Sequence, residues 1–196
     1  LRSESDDERY LNINNWKLEF EKLIDNINIT NLSQCNIIDV GIGNGLEAKT
    51  LFNELNNVTG IDISKEALIY AKQRCNKLNC VVNDAENLID IKNNSQDIYI
   101  SLRTYQSTLF DINASLNEAY RVLRPGGAII ISVPYAYYDS STKSLVKGLY
   151  SVENNTIDPE LPYEYINKIG KNLNTLSFKK IGIKSGMVEI YIFAEK

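Results

Sequence analysis

The residues best placed to do chemistry in this sequence are glycines and carboxylates. Asp39-Val40-Gly41-Ile42-Gly43-Asn44-Gly45 sets glycines at alternate positions directly after an apolar run. Glycine tolerates positive φ and lets a ligand approach the main chain, so such a turn suits ligand binding against backbone atoms. Downstream, Asp62 in Gly60-Ile61-Asp62-Ile63-Ser64 and Asp84 in Asn83-Asp84-Ala85-Glu86-Asn87-Leu88 follow apolar runs of their own. A carboxylate offers only acceptor lone pairs, so these acids can receive hydrogen bonds from a ligand, cap a helix or remain solvated loop acids. The chain contains no histidine. That removes the commonest general base at neutral pH, the Ser-His arrangements and most zinc and iron sites, so no metal site is expected. Proton removal must use a carboxylate, a tyrosine, a lysine or water.

The glycine spacing separates ligand classes. A dinucleotide fingerprint requires Gly-x-Gly-x-x-Gly, and Leu46 stands where the last glycine would be. A nicotinamide-dependent oxidoreductase is disfavoured on that ground. No Gly-Lys-Ser/Thr follows, so a Walker phosphate loop is absent as well.

These residues must be held by strands and helices. Trp16, Phe20, Leu23, Ile24 and Ile27 share one face of a helix within an N-terminal helical cover, residues 10–30, behind a charged and frayed stretch at 1–9. Strands are predicted over Asn36–Val40, Val58–Ile61, Cys80–Val82, Asp97–Ser101 and Ala128–Val133. Helical stripes fall between them, one capped by Ser64 and one around Asn113–Leu123 that Arg124-Pro125-Gly126-Gly127 should terminate in a tight reversal. After a helix at 163–176, the runs Lys180–Lys184 and Val188–Ala194 are separated by three residues and should pair as an antiparallel hairpin. The expected fold class is a single α/β domain, residues 1–196. Its doubly wound, mostly parallel seven-stranded Rossmann-like sheet ends in that hairpin. In such sheets ligands sit beyond the carboxyl ends of the strands, where the glycine turn lies. Residues 135–162 lack clear periodicity and read as a lid-like, mobile cover over the pocket.

Composition narrows the partners. A 196-residue chain with 43% apolar residues can bury one full core, and its net charge of −4 supplies no positive field for a nucleic-acid backbone. Nucleic acid is disfavoured, a small-molecule partner is favoured, and the protein should be a monomer or homodimer. No run is long and apolar enough to cross a bilayer, and the acidic start Leu1-Arg2-Ser3-Glu4-Ser5-Asp6-Asp7-Glu8 is unlike a secretory signal, so a cytoplasmic location is expected. Cys35, Cys75 and Cys80 sit in or beside apolar segments and read as structural thiols.

Taken in order, Asp39-x-Gly41-x-Gly43-x-Gly45, the Asp62 segment, the Asp84 segment, Asp97-Ile98-Tyr99-Ile100-Ser101-Leu102 and Glu118-Ala119-Tyr120-Arg121-Val122-Leu123-Arg124-Pro125-Gly126-Gly127 resemble the motifs of class I S-adenosylmethionine-dependent methyltransferases. The resemblance covers residues 36–134 and is similar to the small-molecule branch of that family. It implies a strand order 3-2-1-4-5-7-6 and S-adenosylmethionine as cofactor, with methyl transfer to an O or N atom of a small acceptor. It also implies that Asp62 chelates the ribose hydroxyls, that Ile63 lies on the adenine, and that Asp84 and the Ala85 amide read the adenine edge. Ser101 and Leu102 would neighbour the amino-acid end of the cofactor. The strand-four pair Leu102-Arg103 is shared with the ubiquinone and menaquinone biosynthesis group, but beyond it the sequence departs, so a quinone substrate is not implied.

Acceptor groups should project from the N-terminal helix and from the loops after strands four and five. Arg103 is a candidate anchor for an anionic substrate group or the cofactor carboxylate, with a capping or surface ion-pair role as the alternative. Tyr105, Tyr135, Tyr137, Tyr138, Tyr10 and Tyr150 are candidate pocket walls. No catalytic base is assigned, because in-line transfer can rest on positioning. Two other readings stay open: a non-catalytic cofactor-binding or partner module on the same fold, and an aminopropyltransferase, which would need a more acidic polyamine site.

Overall fold

Consecutive apolar residues need cover on both faces, and here they form the middle strands of a sheet sandwiched between helices. The protein is described by a computed structural model over residues 12–27, 29, 31–55, 57–107, 111–139 and 141–196. In chain order its elements begin α1 (Ile13–Ile24), β1 (Ile37–Val40), α2 (Leu46–Phe52), β2 (Val58–Asp62), α3 (Lys65–Arg74) and β3 (Asn79–Val82). They continue with β4 (Gln96–Leu102), α4 (Ile112–Val122), β5 (Leu123–Pro134), β6 (Ala136–Asp139), β7 (Ser144–Lys147), β8 (Leu149–Ser151) and β9 (Thr156–Asp158). The chain closes with α5 (Leu161–Thr175), β10 (Lys179–Ser185) and β11 (Glu189–Glu195). Side-chain caps start two helices, Ser64 accepting from the Ala67 amide at α3 and Asp111 from the Asn113 amide at α4.

The main sheet runs β10-β11-β5-β4-β1-β2-β3. Strands β3 through β5 pair in parallel, while β11 is antiparallel to both β5 and β10. The order expected as 3-2-1-4-5-7-6 is therefore 3-2-1-4-5-11-10, because the four short strands β6–β9 precede the hairpin. Alternate residues of each strand feed two cores. Ile38, Val40, Tyr99, Ile129 and Ile131 pack under α4 and α5. Ile37, Ile98, Ile100, Ala128 and Ile130 pack against Trp16, Phe20 and Leu23 of α1 and Phe52 of α2. Each fully buried Ile or Leu side chain contributes about 1.5–3 kcal/mol, so the strands stay fixed while their carboxyl ends carry loops.

Three expectations need correction or closer statement. Residues 135–162 are not an aperiodic cover, because they fold into the antiparallel hairpins β6–β7 and β8–β9. Asn154 and Asn155 lie in the turn between β8 and β9, and Gly148 (φ 112) joins the two hairpins where a Cβ would lie 2.6 Å from the Asp158 carbonyl oxygen. Arg124-Pro125-Gly126-Gly127 follows α4 directly, as expected, but as part of the next strand rather than as a separate loop. It lies within β5 as a kink, with Gly126 at φ 78 and a register shift against β4. Its backbone is held by the last residue, since the Gly126 amide donates to Lys196 O and the Lys196 amide to Gly127 O. Finally, Cys35 and Cys75 are buried free thiols and Cys80 is half-buried. Residues 1–9, where fraying was expected, and Tyr10 lie outside the described residues.

Candidate functional site

At the carboxyl end of β1 the glycine turn changes direction, with φ values of 76, 56 and 77 at Gly41, Gly43 and Gly45. The glycines do different work. A Cβ at Gly45 would sit 2.7 Å from the Ala71 Cα, so this glycine lets the start of α2 rest on α3. A Cβ at Gly43 would meet nothing within 4 Å, so the turn faces open space there. Asp62, at the end of β2, fixes the turn. Its Oδ2 accepts from the Gly43 amide at 2.8 Å and its Oδ1 from the Ser64 amide at 2.9 Å. Each oxygen keeps further acceptor capacity.

A cleft of about 340 Å³ opens beside this turn. Gly41, Asp62, Ile63, Asp84 and Ala85 line it together, as do Asn83, Glu86, Arg103, Thr104 and Ser107. Ile63 is 75% exposed, an uncovered apolar side chain at the cleft wall. Asn83 organises the far side, accepting from the Asp84 amide through Oδ1 and donating through Nδ2 to Asp90. Asp84 closes a tight turn by accepting from the Glu86 amide at 2.9 Å. From beneath, α4 clamps the following loop. Glu118 accepts from the Leu88 amide at 2.7 Å, and Arg121 donates to the carbonyls of Leu88 and Ile91 and to Asn93. That pairing holds the Glu118 carboxyl below its usual range, chiefly through the Arg121 guanidinium.

The remaining candidates are placed otherwise. Asp39 is buried beneath the turn, and burial, followed by the charges of Glu47 and Asp62, pushes its carboxyl well above the usual carboxylate range. Ser101 is fully buried and donates to Val40 O at 2.7 Å, tying β4 to β1, while Leu102 belongs to the core. Tyr105 is fully buried in a hydroxyl cluster, 2.9 Å from Ser115 Oγ and 3.2 Å from the Tyr99 hydroxyl. Burial raises its phenol well above 10, so it is not a base near neutral pH. Tyr135 donates to the carbonyls of Gly186 and Met187 and braces the β10–β11 turn. Neither tyrosine is among the residues lining the two clefts beside the turn.

A second cleft, about 390 Å³, lies under the hairpins and is lined by Arg103, Gln106, Pro134, Ala136, Tyr137, Gly148, Leu149, Tyr150 and Ile157. Arg103 lines both clefts and so marks their boundary. It adopts a positive φ of 57, which is uncommon for a side-chain-bearing residue and is held by its amide donating to Ser132 O and Oγ, each at 3.1 Å. Its Nε lies 4.0 Å from Oε1 of Glu189, whose side chain is fully buried. Thr104, Ser107, Asn83, Glu86, Gln106 and Ile157 were not singled out from sequence. For Thr104, Gln106 and Ser107 the available signal was position, immediately after the strand-four motif.

Comparisons with known proteins bear on the family and the fold. A methyltransferase domain family matches residues 38–131. The ubiquinone/menaquinone biosynthesis C-methyltransferase UbiE of Rickettsia typhi is 33% identical over 158 residues, covering 74% of this chain and 59% of that protein. The chain therefore spans somewhat less than two thirds of that relative's length. A crystal structure of a SAM-dependent methyltransferase from Aquifex aeolicus superposes with a TM-score of 0.64 at 19% identity, covering 89% of this chain and 88% of the other. The Haemonchus contortus phosphoethanolamine N-methyltransferase 2, solved with S-adenosyl-L-methionine, gives 0.60 at 21% identity over 85% of this chain and 38% of that one. These solved structures share the fold. Among the described residues no helix is long and apolar enough to cross a membrane.

Proposed function

We propose that the chain, whose residues 38–131 match a methyltransferase domain family, is a class I S-adenosylmethionine-dependent methyltransferase that transfers a methyl group from S-adenosylmethionine to a small-molecule acceptor. The observation that carries this reading is the cleft beside the glycine turn. Gly41 of the turn lines it, Asp62 is anchored by two backbone amides with acceptor capacity to spare, and an uncovered Ile63 stands next to it. These features fit the cofactor's parts. Asp62 would accept from the vicinal ribose hydroxyls, Ile63 would cover a face of the adenine, and Asp84 with the Ala85 amide would read its edge. Arg103 and Thr104, at the end of β4, would border the amino-acid end.

The cofactor supplies a methyl group activated on a sulfonium. The chain's own residues supply placement and exclusion of water: the turn fixes one reactant, the second cleft holds the other, and the β6–β9 hairpins roof that second cleft. No group near the boundary of the clefts is assigned as a base. The acceptor atom is read as O or N, whose own lone pair can serve once oriented. Carbon is the second reading, favoured by the name of the Rickettsia typhi relative.

Calorimetric titration of the full chain with S-adenosylhomocysteine and, separately, NAD tests the cofactor, with binding of the first alone expected. A panel of small hydroxyl-, amino- and activated-carbon compounds, read as S-adenosylhomocysteine release, tests transfer. Cofactor binding with no turnover across a broad panel would favour the non-catalytic module, and no binding at all would overturn the proposal.

A further inference from the structure

We infer that Glu189 sets the charge preference of the acceptor cleft, restricting it to uncharged, largely apolar small molecules by neutralising Arg103. This rests on the second cleft being the acceptor site of the methyltransferase read above. Arg103 is the cationic side chain at the junction of the two clefts, and read from the sequence it was a candidate anchor for an anion. The structure sets a carboxylate against it instead. Glu189, fully buried at the start of β11, holds Oε1 4.0 Å from the guanidinium, whose own side chain is only 14% exposed.

With Glu189 fully buried and Arg103 only 14% exposed, this ion pair is screened less than one at the surface, and its two charges offset each other for a third group approaching from the cleft. The other side chains lining this cleft carry no formal charge, and Leu149, Ile157, Pro134 and the rings of Tyr137 and Tyr150 give it an apolar character. A carboxylate entering here would lose its water without gaining an uncompensated cation, which is unfavourable. A neutral ring with a single polar group would lose little. The cleft volume of about 390 Å³ falls in the range of small-molecule sites, toward its lower end.

The test uses the full chain saturated with S-adenosylhomocysteine and two probes of matched shape, p-cresol and p-toluate. Affinities come from NMR titration, with backbone amide shifts at Ala136, Gly148 and Ile157 reporting the cleft. The wild type is expected to bind p-cresol about tenfold more tightly than p-toluate. Glu189→Gln removes the buried negative charge and keeps the shape, and should raise p-toluate affinity about tenfold while leaving p-cresol within a factor of two. Ile157→Trp, which fills the cleft from a short exposed hairpin, should abolish binding of both probes without changing that of S-adenosylhomocysteine. If Glu189→Gln does not fold, the wild-type preference and the Ile157→Trp result still decide. Tighter wild-type binding of p-toluate, or a wild-type preference unchanged in a folded Glu189→Gln protein, overturns the inference while the methyltransferase reading stands. Failure to bind S-adenosylhomocysteine overturns both.

Discussion

Replacing Asp62 by Asn is the most discriminating change in the cofactor cleft, because the two side chains are nearly isosteric and differ in what the structure demands of them. Both Asp62 oxygens accept from backbone amides, Oδ2 from Gly43 at 2.8 Å and Oδ1 from Ser64 at 2.9 Å. An asparagine has one carbonyl oxygen and one NH₂ group, so either rotamer turns a donor toward one of those amides. A hydrogen bond to a charged group contributes about 1.5–3 kcal/mol. Asp62 is half-buried and a freed amide can reach water, so the stability loss is discounted to about 1 kcal/mol. For a chain of this size that corresponds to a fall in Tm of about 2–4 °C.

The effect on ligand binding is larger. The variant loses the charge that strengthens acceptance from two ribose hydroxyls, and it also loosens either the glycine turn or the start of α3. Together these should cost about 1.5–3 kcal/mol, or roughly ten- to a hundredfold in S-adenosylhomocysteine affinity by calorimetry. An Asp62→Asn protein that binds within threefold of wild type would refute the role assigned to this carboxylate, whatever its Tm.

The turn glycines should separate by function: Gly45→Ala, whose Cβ meets the Ala71 backbone at 2.7 Å, should lower Tm by several degrees, whereas Gly43→Ala should carry only the left-handed backbone penalty of about 1 kcal/mol yet weaken S-adenosylhomocysteine binding more strongly. Equal effects of the two on both readouts would contradict that division. For Asp39, whose folded-state carboxyl is raised, the native state holds the proton more tightly than the unfolded chain, so stability falls as pH rises from about 4 toward the raised value. The Tm of Asp39→Asn relative to wild type should therefore climb between pH 4 and pH 8, and a flat difference would show that the buried carboxyl carries no such penalty. Glu118 runs the other way: its carboxyl is lowered, so its contribution is present above about 4.5 and lost as pH falls through the folded-state value. Glu118→Gln should be less stable by about 1–2 kcal/mol at pH 7 and converge with wild type in denaturant titrations near pH 3.

What was legible in the sequence was whatever a local pattern can encode. The alternation of strands and helices, the glycine turn and the acids closing β2 and β3 depend on residues within one turn or strand, and Gly41, Asp62, Ile63, Asp84 and Ala85 do line one cleft. What local pattern could not encode is which way a residue at a strand end faces. Ser101 and Leu102 end the fourth-strand motif, but both faces of the sheet are covered, so the two alternate sides of β4 bury both of them, the Ser101 hydroxyl bonding to Val40 O, and Arg103 and Thr104 are the residues that reach the cleft. Tyr105 likewise stood in a loop rich in polar residues, yet Ser115 of the following helix α4 supplies a hydroxyl partner that lets it bury.

Arg103 shows the same limit in electrostatics. From sequence it is a cation at a strand end, as ready to anchor an anion as to cap a helix or join a surface ion pair, with no partner named. Its buried partner lies at the start of β11, and only the antiparallel pairing of β11 with β5, which sets Glu189 beside Pro134, brings that carboxylate to the end of β4. The charge offered to an acceptor is thus decided by a strand pairing, because β-sheet register can put opposite charges side by side from segments that share no motif. A sequence scan that scored Arg103 alone would choose anionic compounds for the acceptor panel, whereas the pairing directs the search to neutral, ring-sized ones.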